Sequence, residues 1–210
     1  MKKTFFIILF CALSVVAQNK DDATKNPSSS TPRIVFLGDS LTEGYGVKKE
    51  NSYPAIIEKS LKEQGYKINF TNASVSGSTT ASLMSRLKWQ LNNKPDIILI
   101  ALGANDGLRG FKVNVIKKNL SEAIELAQQN NIKVLLAGMQ MPPNYGKTYT
   151  KKFKQIFPDL AKKHNVKLIP FLLKGVAGDK SMNQSDGIHP NEEGHKKMAQ
   201  TVLPYLKEVL

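Results

Sequence analysis

The sequence predicts an α/β fold, a three-layer α/β/α sandwich around a five-stranded parallel sheet. Two observations lead there. Beyond Pro32, short apolar runs alternate with longer amphipathic ones, the order expected when every parallel strand must return through a helix. No internal repeat or second-domain linker breaks that series, so residues 32–210 read as one domain, long enough to bury a sizeable core.

The expected strands are 33–38, 68–73, 96–102, 133–139 and 167–171, each rich in Val, Ile, Leu or Phe and bounded by Gly, Pro or Asn. The expected helices are 53–64, 80–91, 112–130, 149–163 and 192–210, where apolar residues recur at helical spacing. In such a sheet the loops leaving the carboxyl ends of the strands share one edge, and function collects there. Gly38-Asp39-Ser40 leaves the first strand, residues 74–78 the second, Gly103-Ala104-Asn105-Asp106 the third and 141–146 the fourth. The loop carrying Asp186 and His189 follows the fifth strand and precedes the last helix, so it can close over the same edge.

The N-terminal residues stand apart from this domain. Met1-Lys2-Lys3 is positive, an apolar stretch covers 5–16, and Ala17 is a small residue of the kind signal peptidase requires. Residues 1–17 therefore read as a signal peptide, with Gln18 first in the mature chain. The stretch is shorter than the roughly 20 apolar residues of a membrane-spanning helix. Residues 18–31, rich in Lys, Asp, Ser and Pro, read as a polar linker. The expectation is an exported protein, periplasmic or extracellular. The single cysteine, Cys11, falls inside the leader, and an acylated Cys11 would make a lipid anchor, but bulky Phe10 stands before it where a small residue is required.

The formal net charge is +13, and apart from Arg33, Arg86 and Arg109 the cations are lysines. Lysine doublets scattered along helices mark a solvated surface; nucleic-acid readers favour arginine interleaved with stacking aromatics. No nucleic-acid partner is expected, whereas a basic face can make transient contact with an anionic membrane surface or glycan.

Ser40 lies in a strand-to-helix turn, where a serine either caps the helix or serves as a nucleophile. A hydroxyl attacks only if a base takes its proton. Of the three histidines, His164 and His195 read as surface or helix-end residues. His189 differs, because Asp186 stands three residues before it and Pro190 constrains the backbone after it. One short loop thus holds an acid that can orient an imidazole. A metal site built from Asp186, His189 and His195 would lack both a His-x-x-x-His pair and a cysteine cluster. Gly77, through its backbone N–H, and Asn105, through its side-chain amide, are candidate donors to an oxyanion; each is otherwise an ordinary turn residue. The Gly-x-Ser-x-Gly elbow is absent, since Thr42 occupies its second glycine position.

Taken in order, Gly38-Asp39-Ser40-Leu41, Gly77, Gly103-Ala104-Asn105-Asp106 and Asp186-Gly187-Ile188-His189 resemble the blocks of the GDSL, or SGNH, hydrolase family over nearly all of 32–210. Within it, Met139-Gln140-Met141-Pro142-Pro143-Asn144-Tyr145-Gly146 is similar to the bacterial thioesterase I, arylesterase and lysophospholipase group. The resemblance implies a flavodoxin-like SGNH hydrolase fold and a serine esterase that cleaves acyl esters, and acyl thioesters, through an acyl-enzyme. It implies Ser40 as nucleophile, His189 as general base and then acid, and Asp186 as its orienter. It also implies an oxyanion hole formed by the Ser40 and Gly77 amides with the Asn105 side chain, and no metal or organic cofactor. Met141, Pro142, Pro143, Asn144 and Tyr145 correspond to the family's substrate-lining loop, although such residues can also simply pack a turn. Two rivals remain: a carbohydrate or peptidoglycan O-deacetylase using the same triad, and a non-catalytic surface protein that binds polyanions.

Overall fold

The computed structural model describes residues 31–210. The expected signal peptide over 1–17 and, but for Thr31, the linker over 18–31 lie outside the described residues. Five strands form one parallel sheet: β1 (Arg33–Gly38), β2 (Asn69–Asn72), β3 (Ile97–Ala101), β4 (Lys133–Ala137) and β5 (Lys167–Ile169). Their order is β2-β1-β3-β4-β5. Every pairing is parallel, with Ile34 beside Ile97, Ile98 beside Val134 and Leu135 beside Lys167. This is the flavodoxin-like order, and it reverses between β1 and β3. Loops leaving those two strands part in opposite directions and open a crevice above their carboxyl ends.

Five longer helices cover the sheet: α2 (Tyr53–Glu63), α3 (Leu83–Leu91), α5 (Val113–Gln129), α6 (Lys147–His164) and α7 (Glu192–Lys207). Helix α2 packs on α7, while α5 packs on both α3 and α6, giving the outer two layers of the sandwich. The three central strands β1, β3 and β4 are apolar on both faces because both are covered, and Ile97–Ala101 is buried at every position, whereas the edge strand β2, Asn-Phe-Thr-Asn, has no buried residue. Tyr53, Phe36, Phe153 and Phe157 are among the largest side chains in that core.

Two short helices escape periodicity analysis, α1 (Ser40–Glu43) and α4 (Ala104–Leu108). Four or five residues show no helical repeat, and both sit at the edge where function was expected. The expected helix over 80–91 begins instead with a tight 3-10 turn, Thr80–Ser82, because the buried carboxylate of Asp106 takes both the N–H and the hydroxyl of Thr80. The last helix ends at Lys207, where the N–H groups of Val209 and Leu210 both fold back onto the Leu206 carbonyl.

Candidate active site

The turn after β1 carries Ser40, and its geometry follows from two neighbours. Asp39, not Ser40, caps α1: its Oδ1 accepts the Leu41 N–H at 3.1 Å. The Ser40 hydroxyl is therefore released from capping duty. Gly38 must lack a side chain, since a Cβ there would stand 2.3 Å from Thr42 Oγ1. Thr42 itself is buried and meets the Tyr53 hydroxyl at 3.0 Å. The turn is thus wedged between the strand and α2, and Ser40 is presented at the crevice.

The loop between β5 and α7 carries the other two groups. Asp186 Oδ1 accepts the N–H groups of Ile188 and His189, both at 3.0 Å, which curls the chain around the carboxylate with Gly187 at φ +73°. Curling returns the imidazole to its own loop. His189 Nδ1 lies 2.7 Å from Asp186 Oδ2, and His189 Nε2 lies 3.0 Å from Ser40 Oγ. The Asp186 carboxyl is held down to about 2, first by the His189 backbone N–H, then by the His189 ring and the Ile188 N–H. It is an anion at any pH where the ring would need one. Residues from opposite ends of the domain, Ser40, Asp186 and His189, thus form one continuous hydrogen-bonded chain.

Gln184 clamps this loop. Its side-chain amide donates to the carbonyls of Tyr45 at 2.8 Å and Pro190 at 2.9 Å, while its own N–H donates to the His189 carbonyl. A Cβ on Gly46 would stand 2.1 Å from the Gln184 side chain. The Tyr45 ring lies 4.7 Å from that of His189, centroid to centroid. Neither Gln184 nor Tyr45 was singled out from sequence, where both read as loop residues.

On the other flank, the loop over 73–80 is tied to its surroundings at several points. Ser76 donates its N–H to Glu43 of α1, Arg86 donates to the carbonyls of Gly38 and Ala73, and Arg109 donates to the carbonyl of Gly77. Asn105 Nδ2 donates to the Ser78 carbonyl at 3.0 Å, leaving its second N–H to face the cavity it lines. Gly77 adopts φ +75° and sits beside the cavity rather than in its wall. Among the described residues its N–H has no acceptor; that of Ser40, first in its helix, has none within the helix either. Asp106 lies in the predicted third block, but the sequence carried no reason to assign it a task. Its buried carboxylate fastens Thr80 and so holds this loop to α4.

Above the hydroxyl opens a cavity of about 520 Å³, within the range of small-molecule sites. Ser40, Asn105 and His189 stand at its polar end, and Leu108, Met139, Met141, Phe171, Leu173 and Ile188 supply much of its apolar wall. Of the expected lining loop, Met141, Pro142 and Pro143 reach the cavity, but Asn144 and Tyr145 do not. The 3-10 turn Pro143–Tyr145 carries them away, and the Tyr145 hydroxyl donates to the Leu108 carbonyl at 3.1 Å. Tyr145 is the packing residue that such loops also contain.

His195 corrects the expectation most sharply. It is fully buried, not a surface or helix-end residue. Its Nδ1 accepts the Tyr53 N–H at 3.2 Å, so the ring is neutral with its proton on Nε2. Burial, and then the nearby His189, push it down to about 4. His164 does end α6, but its side chain is covered too, with Nε2 2.8 Å from Ser121 Oγ. Asp39 is pushed up to about 6, because burial strips water from its carboxylate more than the Leu41 N–H compensates.

Comparison with known proteins agrees with this architecture. The chain is 37% identical over 207 residues to an arylesterase of Vibrio mimicus, covering 98% of both chains. It is 32% identical over 184 residues to thioesterase 1/protease 1/lysophospholipase L1 of Escherichia coli (strain K12), covering 87% of each. The crystal structure of TesA superposes with a TM-score of 0.82 at 36% identity, covering 85% of this chain and 99% of that one. Residues 36–197, which span the turn of Ser40 and the loop of His189, match the GDSL-like Lipase/Acylhydrolase family, and the chain is a member of it.

Proposed function

We propose that this chain is a serine esterase hydrolysing acyl esters, and acyl thioesters, through an acyl-enzyme, with Ser40 as nucleophile, His189 as base and acid, and Asp186 as orienter. One observation carries the reading: the Ser40–His189–Asp186 hydrogen-bonded chain ends in a largely apolar cavity. Ser40 Oγ attacks the acyl carbonyl while His189 Nε2 takes its proton; the imidazolium, balanced by Asp186, then protonates the departing alcohol or thiol. Water, deprotonated by the same nitrogen, releases the acid. The Ser40 and Gly77 N–H groups and the Asn105 amide stabilise the oxyanion, a role supported by their freedom from other acceptors or, for Asn105, by a spare N–H.

The extent of the apolar wall supports acyl groups longer than acetyl and does not favour an O-deacetylase. A series of nitrophenyl esters of increasing chain length, with matched thioesters, tests the reading. Rates should rise beyond acetate, and Ser40→Ala should lose nearly all turnover; full activity in that variant would reject it. Export is proposed on the leader composition alone, and N-terminal sequencing of secreted protein should begin at Gln18.

A further inference from the structure

We propose that the adjoining N-terminal ends of α5 and α6, with the loops leading into them, form a docking surface for an anionic lipid bilayer beside the mouth of the cavity. The proposal rests on the esterase reading for its purpose.

Three observations converge on this patch. First, it is apolar where it need not be: Phe111 is 40% exposed and Val115 48% exposed. Pro142 and Pro143, also exposed, line the cavity next to Leu108. The two loops are one surface, because Tyr145 donates to the Leu108 carbonyl and Tyr149 donates to the Phe111 carbonyl at 2.8 Å. An acyl chain leaving a lipid layer at Phe111 therefore meets the cavity wall within the same loop.

Second, the chain segments that form the patch contain no acid to neutralise their cations. No Asp or Glu occurs over 107–121 or 126–158. Asp106 is buried and engaged by Thr80. Lys112, Lys147, Lys151 and Lys152 are exposed and form no ion pair among the described residues. Farther along the same two helices cations are paired, Lys117 with Asp159, Lys118 with Glu122 and Lys163 with Glu125. Others are paired on α2, Lys59 with Glu63 and Lys62 with Glu58, and on α7, Lys196 with Glu193.

Third, Lys112, which precedes α5, and Lys147, which begins α6, stand where they repel the fold itself. Neither α5 nor α6 has an acid in its first turn, whereas α7 opens with Glu192 and Glu193. Cations at the positive end of a helix dipole are unfavourable, and a layer of phosphates relieves them. A soluble polyanion would satisfy these charges but leave Phe111 and Val115 in water. A bilayer with anionic headgroups satisfies both.

The test is co-sedimentation of the full chain with vesicles of phosphatidylcholine alone, or of phosphatidylcholine and phosphatidylglycerol in equal parts. All variants keep the same N-terminal residues, so the leader contributes equally. Wild type should bind the phosphatidylglycerol vesicles at least about tenfold more tightly. Lys112→Gln/Lys147→Gln/Lys151→Gln should weaken that binding about 10²-fold, and Phe111→Ser/Val115→Ser about tenfold. Both variants should hydrolyse soluble nitrophenyl acetate at the wild-type rate, which also reports their folding. Equal vesicle binding by wild type and the triple variant would overturn the proposal. So would loss of heparin and vesicle binding together in the triple variant while Phe111→Ser/Val115→Ser binds normally, the result of a polyanion surface. An inactive wild type would instead refute the esterase reading, independently of where vesicles bind.

Discussion

His189 and His195 flank the start of one helix, and the fold puts them to opposite uses. His189 keeps one face toward the crevice, with a carboxylate behind it and a hydroxyl in front. His195, on α7, is sealed against Tyr53 and accepts a backbone N–H. The same side chain is a proton carrier in one place and an uncharged packing piece in the other. What separates them is an available anion: the imidazolium of His189 would face Asp186, while that of His195 would lose its hydrogen bond from Tyr53 and gain no counter-ion.

Substitution should expose that difference as activity on one side and stability on the other. His189→Ala should lower kcat/KM by about 10⁵-fold or more with little change in unfolding midpoint, and Asp186→Asn by up to about 10⁴-fold, measured as nitrophenyl ester hydrolysis. Next, Asn105→Ala should lower kcat by about 10²- to 10³-fold if its free N–H meets the oxyanion. His195→Ala reverses the pattern. It should cost about 3 kcal/mol in urea unfolding, from a cavity and an unsatisfied Tyr53 N–H, with ester hydrolysis per folded molecule nearly unchanged. A large catalytic loss in folded His195→Ala would erase the contrast.

The smallest effect is a slope against pH. His195 falls from its ordinary 6.5 to about 4, so between those values the unfolded chain holds a proton that the folded chain does not. Stability from this group is lost as pH falls through that window. Asp39 rises from 3.8 to about 6, so there the folded chain holds the extra proton and stability is lost as pH rises. The two slopes oppose each other from about pH 4 to 6. Asp39→Asn should leave the histidine slope, about 1.4 kcal/mol per pH unit increasing with pH, and His195→Gln should leave one of the reverse sign. Urea titrations at steps across that window measure both; parallel curves for the two variants would show that neither group is coupled to folding.

Much of this was legible in the residues. The strands are legible as short apolar runs between turn residues, β2 least clearly because Asn69, Thr71 and Asn72 interrupt its run, and the order of loops alone points Ser40, Gly77, Asn105 and His189 to one edge. Helices α1 and α4 were not legible, because one turn carries no periodicity. Nor was the choice of Asp39 over Ser40 as helix cap, since either side chain has the required oxygen. Asn144 and Tyr145 share a loop with Met141, and no local pattern separates residues that face a cavity from those that turn away.

Local chemistry determined what a chain neighbourhood can settle alone: where strands begin, that an Asp three residues before a His can fold back upon it, and that Lys112 and Lys147 lie in stretches free of acids. Distant contacts decided the rest. Whether His195 is wet or dry depends on Tyr53, and whether the loop of Gly77 is held depends on Glu43, Arg86, Asp106 and Arg109. Burial and hydrogen-bond partnership are properties of surfaces that meet only on folding, so residue order constrains them without specifying them.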